Sequence, residues 1–199
     1  MEPATKAGSE LSIASIASAL PDPATFFTIG HSTRPLPELV QLLHESQVDL
    51  LADIRSVPRS RTNPQYNIET LPAALERAGI AYRHIKALGG LRGRKKGHAP
   101  SRNMLWENES FRNYADYAAT SDFREGLYEL LRLGREHRSA LMCAEAVWWR
   151  CHRRIVADYL LAARHRVFHI LGPGRTELAR LTPGAQIEPD GTIVYRGTS

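Results

Sequence analysis

The sequence predicts a single α/β domain: a mostly parallel β-sheet with helices on both faces. Three observations predict it. Runs of β-branched and aromatic residues alternate with amphipathic stretches along most of the chain. The inner runs are apolar throughout, as strands buried on both faces are. Polar, chemistry-bearing residues collect where those runs end and helices begin, the edge at which open α/β sheets bind ligands.

The first strand is TFFTIGHS, ending in Gly30-His31-Ser32. Pro35 and Pro37 open a helix that runs to about Glu45, with Leu39, Val40, Leu42 and Leu43 as its apolar face. VDLLADIRSVP is the second strand, followed by the turn-rich PRSRTNPQYN. The helix IETLPAALERAG stops at Gly79, and IAYRHI is the third strand. A basic loop then leads to helices around Phe111 to Ala119 and Asp122 to Glu136. SALMCA is the fourth strand, Cys151 to Arg164 a helix, and HRVFHIL the fifth strand. The tail reads as a short helix and then a β-hairpin turning at Asp190-Gly191. Residues 1–23, closed by PDP, read as a weakly ordered extension, and 24–199 as one domain without internal repeats.

With 199 residues, 43% hydrophobic and 24% charged, the chain has the composition of a globular domain with a real core. Its formal charge of +5 is concentrated locally. Between Arg83 and Arg102 there are seven Lys/Arg and no acid, a patch suited to a polyanion such as nucleic acid, with Arg92, Arg94, Lys95 and Lys96 at its centre. Two cysteines and no recognisable signal peptide point to a reducing cytoplasm and away from a structural disulfide. The N-terminal LSIASIASAL is too short and too rich in serine to span a bilayer, so no membrane partner is expected.

Three strand ends carry the chemistry: Gly30-His31-Ser32, Asp53-Ile54-Arg55 with Arg59 beyond, and Cys143-Ala144-Glu145. In a parallel sheet these open on one edge, which predicts that His31, Asp53, Arg55, Cys143 and Glu145 share a site. Asp53 and Arg55 alternate along a strand and therefore face the same way. They form either a buried ion pair or a carboxylate held for acid/base work, with Arg55 and Arg59 on an anion. Glu145 is a second carboxylate, able to divide acid and base roles with Asp53 or simply to clamp a nearby arginine. Cys143 is open to three readings: a nucleophile lowered in pKa by Arg150, Arg153 and a helix start, a zinc ligand with Cys151 and His152, or an inert buried thiol. The spacing C-x7-C-H matches no standard zinc pattern, so no metal or other cofactor is expected. Trp148 and Trp149 offer stacking surfaces for a base or sugar. There is neither a P-loop nor a GxGxxG fingerprint.

The segments TIGHSTRPLPELVQLL, LLADIRSVPRSRTNPQYN, LGG, FRNYADYAATSDFREGL and ALMCAEAVWWRCHRR resemble the bacterial family catalogued as domain of unknown function 488, from about Phe27 to Ile170. The resemblance marks His31, Ser32, Asp53, Arg55, Pro58, Arg59, Asn63, Tyr66, Cys143, Glu145, Cys151, His152 and Arg153 as the family's polar pattern, and implies no settled activity. A fainter likeness is to rhodanese-type sulfurtransferases, in the D-x-R strand and the cysteine ending strand four. There AEAVWW departs from the small-residue anion cradle, setting a carboxylate and two indoles beside the sulfur.

The favoured expectation is therefore an enzyme acting on nucleic acid or a nucleotide-like anion by carboxylate acid/base hydrolysis, with base-removing glycosidic cleavage foremost. Asp53, Glu145, Cys143 and His31 are its candidate catalytic residues. Ser32, Arg55, Arg59, Asn63, Tyr66, Trp148, Trp149, Arg150, His152 and Arg153 are its candidate substrate contacts. The rivals are a rhodanese-like or redox cysteine enzyme using Cys143 and a non-catalytic nucleic-acid binder.

Overall fold

A computed structural model describes residues 23–93 and 100–197, together with Ser12, Ile13 and Ser15. Among the described residues eight strands form, β1 (Thr25–Gly30), β2 (Leu50–Asp53), β3 (Ala81–His84), β4 (Ser139–Cys143), β5 (Arg166–Gly172), β6 (Arg175–Leu178), β7 (Ala185–Ile187) and β8 (Ile193–Tyr195). The α-helices described in full are α1 (Leu36–Glu45), α2 (Leu71–Glu76), α3 (Glu109–Tyr117), α4 (Ser121–Glu136) and α5 (Arg153–Ala162). The main sheet has the order β3-β2-β4-β1-β5-β6, parallel through β5 and closed by antiparallel β6. β7 and β8 form a separate antiparallel hairpin. The α/β class, the parallel sheet and the C-terminal hairpin are thus as the sequence predicts.

Strand alternation divides the core into two clusters. Phe27 and Ile29 of β1, Leu51 of β2, and Ala140 and Met142 of β4 pack against Leu39, Leu42 and Leu43 of α1 and Leu71 and Leu75 of α2. The other cluster joins Phe26, Leu50, Ala52 and Leu141 to Phe123, Leu127 and Leu130 of α4 and to Ile155, Val156, Tyr159 and Leu160 of α5. Cys143 and Cys151 belong to this second cluster. Asn108 caps α3, its side chain accepting from the N–H groups of Ser110 and Phe111, and Thr120 caps α4. Ile13 is also buried in the second cluster. The rest of the expected 1–23 extension lies almost wholly outside the described residues.

The tail departs from expectation where a short helix was predicted. Gly174, with φ +62°, turns the chain back so that residues 175–178 pair with β5, Leu178 opposite Phe168 and Glu177 opposite His169. β5 would otherwise present an open edge, and backbone hydrogen bonds along it outweigh a helix of one turn. The polar sequence RTEL suits this solvent-facing edge, all four residues being exposed. The hairpin is held by α5: Asp158 accepts from the Thr182 N–H and the Tyr195 hydroxyl, both at 2.9 Å, and Tyr159 Oη accepts from the Ile193 N–H at 3.1 Å. Among the described residues no helix is long and apolar enough to cross a membrane.

α4 approaches β1 closely at Gly134, where a Cβ would lie 2.1 Å from Phe26 Cζ. Phe26 is fully buried and has no free side to move toward. Gly134→Ala gains about 1 kcal/mol of helix propensity but overpacks the core at about 1–3 kcal/mol. The expected net result is a lower urea midpoint; a higher one would show that the helix shifts without cost.

Candidate functional site

β1, β2 and β4 end together at the carboxyl edge, as expected, but the pleat sends their functional side chains to opposite faces. Asp53 follows Leu51 onto the α1/α2 face, whereas Cys143 follows Leu141 onto the α4/α5 face. The single shared site predicted for Asp53, His31, Glu145 and Cys143 is therefore two sites, back to back.

On the α1/α2 face lies a closed polar network. Arg55 Nε and Nη2 donate to Asp53 Oδ1 and Oδ2 at 2.9 and 2.5 Å, and Tyr82 Oη donates to Asp53 Oδ2 at 2.8 Å. Arg55 Nη2 also reaches Tyr66 O at 2.7 Å, and its Nη1 donates to His31 Nε2 at 3.3 Å. That contact and the 2.8 Å bond from His31 Nδ1 to Ser32 O assign His31 the Nδ1–H tautomer. Burial lowers the His31 pKa, and the imidazole stacks on Tyr66 at 4.1 Å between centroids. Burial also raises the Tyr66 phenol to about 12; its hydroxyl donates to Arg34 O at 3.0 Å. Asp53 has no exposed surface, and its oxygens are filled by Arg55 and Tyr82. It does not face the pocket that holds Glu145, which corrects the expectation that the two carboxylates share it. Of the two readings of Asp53 and Arg55, the geometry is that of a buried ion pair.

On the α4/α5 face is a cavity of about 320 Å³. Val57, Leu91, Phe111 and Tyr114 form apolar walls, Cys143 and Cys151 line its depth, and Glu145 and Arg150 lie at its margin. Cys143 Sγ and Cys151 Sγ are 2.6 Å apart. Arg153, itself buried, donates from Nη1 to Cys143 Sγ at 2.6 Å and to Glu145 O at 2.7 Å, and from Nη2 to Ala146 O at 3.0 Å. The loop backbone comes this close because Gly30 has no side chain: a Cβ there would lie 1.8 Å from Glu145 O.

Arg153 Nε has no hydrogen-bond partner among the described residues, and no carboxylate there forms an ion pair with this guanidinium. A buried cation needs a buried anion, and Cys143 is the acidic group it touches. Burial pulls the Cys143 thiol pKa upward, but the Cys151 S–H and the Arg153 charge outweigh it, leaving the thiol at about 7. Burial and the adjacent Cys143 sulfur push Cys151 well above its ordinary value, so Cys151 is the protonated member and donates to Cys143. His152 Nε2 donates to Ile54 O at 2.9 Å, which leaves Nδ1 as an acceptor 3.5 Å from Cys151 Sγ. Burial lowers the His152 pKa to about 4, keeping the ring neutral.

The remaining predicted residues disperse. Ser32 has φ 46° and continues the β1–β4 ladder through its N–H to Ala144 O. Arg59 is exposed and paired with Glu69, and Asn63 sits half-buried in the turn before Tyr66. Trp148 stacks on His169 at 4.2 Å, and Trp149 meets it edge-on, half exposed. Neither indole is among the residues lining the cavity. Arg92 is held by the carbonyls of Lys86, Ala87 and Gly89 and lies over the Tyr117 ring, while Arg94, Lys95 and Lys96 lie outside the described residues. Among the described residues no three His, Cys, Asp or Glu are grouped to hold a metal ion, the Cys143-Cys151-His152 zinc alternative included. The sequence reading missed Tyr82 and the apolar walls made by Val57 and Leu91; of the lining, LGG contains Gly90, and FRNYADYAATSDFREGL contains Phe111 and Tyr114.

The chain belongs to the family described as domain of unknown function DUF488, which matches residues 35–160. That span contains Asp53, Arg55, Cys143, Glu145, Cys151 and Arg153, and begins after His31. No curated protein and no solved structure matches the chain.

If Asp53 is the counter-ion of Arg55, Asp53→Asn strands a buried guanidinium and costs about 3–5 kcal/mol. Urea unfolding reads that loss, while the folded fraction is expected to retain the reactivity of Cys143. Full stability with altered Cys143 reactivity would instead join the two faces functionally.

Proposed function

We propose that this chain is a thiol–disulfide exchange enzyme, with Cys143 as the nucleophile and Cys151 as the resolving thiol. The observation that carries the reading is the contact of Cys143 Sγ with both the Cys151 thiol and the buried Arg153 guanidinium, in the depth of a cavity. A thiol with a pKa near ambient pH combines a large thiolate fraction with retained nucleophilicity, the optimum for attack on a disulfide. The carboxylate alternative has less support. Glycosidic cleavage uses two carboxylates flanking the bond, and Glu145 lines the cavity without Asp53. Of the two indoles expected to crowd the sulfur, Trp148 is turned onto His169 and Trp149 onto Trp148, and the donor the sulfur needs comes from Arg153 in place of backbone amides.

In this reaction the Cys143 thiolate attacks one sulfur of a disulfide, forming a mixed disulfide and releasing one thiolate. Cys151 then loses its proton and attacks Cys143 Sγ, closing the Cys143–Cys151 bond and releasing the second half. The protein dithiol gives up two electrons, the substrate disulfide is reduced to two thiols, and a dithiol reductant returns the protein to its starting state. His152 Nδ1 offers an acceptor to the Cys151 S–H once Cys143 is no longer a thiolate.

The alkylation rate of Cys143 follows its thiolate fraction. It is expected to rise with pH and level off above about 7, since the proton that blocks reaction is lost there. Arg153→Met removes the counter-ion and is expected to move the midpoint upward, toward or beyond the free-thiol value of about 8.5. Cys143→Ala is expected to abolish disulfide reduction and Cys151→Ser to arrest at the mixed disulfide. A wild-type midpoint already at the free-thiol value, or turnover surviving in Cys143→Ala, would overturn the proposal.

A further inference from the structure

The margin of the cavity carries two charges that the fold does not use. Glu145 and Arg150 are both exposed and both line the cavity. Neither side chain forms an ion pair or a hydrogen bond among the described residues. The neighbouring polar groups are consumed: Ser56 Oγ accepts from the Leu91 N–H, Arg55 is held by Asp53, and His152 by Ile54. Glu145 stands two residues after Cys143 and Arg150 directly before Cys151, and all four residues line the one cavity. The loop between them is fixed at both ends. Arg153 grips the carbonyls of Glu145 and Ala146, and a 3₁₀ turn over Trp148–Arg150 sets the departure of Arg150.

We infer that the substrate is a small disulfide whose thiol halves each carry an ammonium and a carboxylate, the disulfide of an amino-acid-type thiol. Glu145 receives the ammonium and Arg150 the carboxylate while a substrate sulfur meets Cys143. This rests on the exchange reading and narrows it. A cavity of about 320 Å³ lies at the small end of ligand pockets and suits a low-molecular-weight disulfide. The buried position of both sulfurs keeps a disulfide on a folded protein surface from reaching them. A purely apolar substrate would leave opposite charges idle at the mouth, and an anion would meet Glu145 without compensation.

Four disulfides separate these features: cystine with both charges, cystamine with ammonium groups, dithiodipropionate with carboxylates, and hydroxyethyl disulfide with neither. Single-turnover oxidation of the fully reduced protein is quenched in acid at set times, freed of small thiols by desalting, and followed by the loss of thiols remaining on the protein. Each rate is divided by that of the same disulfide with free mercaptoethanol. Cystine is expected to be fastest on this scale. Arg150→Gln is expected to lower the dithiodipropionate-to-hydroxyethyl ratio, and Glu145→Gln the cystamine-to-hydroxyethyl ratio, each by about fivefold as for a partly exposed ion pair. Both side chains are solvent-facing, so both variants keep the fold, and each must leave the other's ratio standing. Wild-type ratios equal to within about twofold, or ratios that neither variant moves beyond that, would overturn the substrate class while leaving the exchange reading in place. Failure of all four disulfides to oxidise the wild-type dithiol would overturn the exchange reading, and the substrate class with it.

Discussion

The contact between the Arg153 guanidinium and Cys143 Sγ organises the α4/α5 face. A buried arginine is costly unless its charge is met, and here it is met by a sulfur and two loop carbonyls instead of a carboxylate. That requirement explains several features together. It holds the Cys143 thiol at about 7 against the opposing pull of burial. It pins the loop after β4 over the carboxyl edge, where Gly30 makes room for the Glu145 carbonyl. It also fixes the start of α5, because the residue that supplies the charge is the helix's first. Cys151 is then left as the protonated neighbour, a donor to Cys143 and, in the proposed exchange reaction, the second nucleophile.

The opposite face solves the same electrostatic problem in the ordinary way. Arg55 is buried, and its counter-ion is Asp53, two residues back on the same strand end, with Tyr82 and Tyr66 completing the set. Among the described residues there are therefore two buried arginines at one sheet edge, one on each side. The first is satisfied by a carboxylate that is sealed from solvent. The second is satisfied by a group that titrates near neutrality and lines a cavity. The first arrangement is a closed ion pair, and the second is the one on which the proposed reactivity rests.

Much of this was legible in the sequence. The α/β class, the five parallel strands, the carboxyl edge and the hairpin at Asp190-Gly191 follow from apolar runs, turn residues and strand-helix alternation. So did the shared orientation of Asp53 and Arg55, because side-chain alternation within one strand needs no tertiary information. What was hidden was the relation between strands. Whether Cys143 points the same way as Asp53 depends on the register of β2 against β4, and Asp53 pairs with Met142, not Cys143. One residue of register sends the carboxylate and the thiol to opposite faces. The same reason hides Tyr82, which meets Asp53 across the β2–β3 pair, and the turning of Trp148 onto His169. The edge strand β6 was missed because four polar residues become a strand only when a neighbouring edge needs a partner.

The central claim is that Cys143 and Cys151 function as one redox unit. The most direct test is to titrate the native reduced protein with increasing proportions of oxidised to reduced glutathione, quench in acid and map the thiols by mass spectrometry. The account predicts that both thiols disappear together, giving a species two hydrogens lighter with the Cys143 and Cys151 peptides linked. Stable glutathione adducts on each cysteine separately, or thiols that stay reduced at every poise, would contradict it.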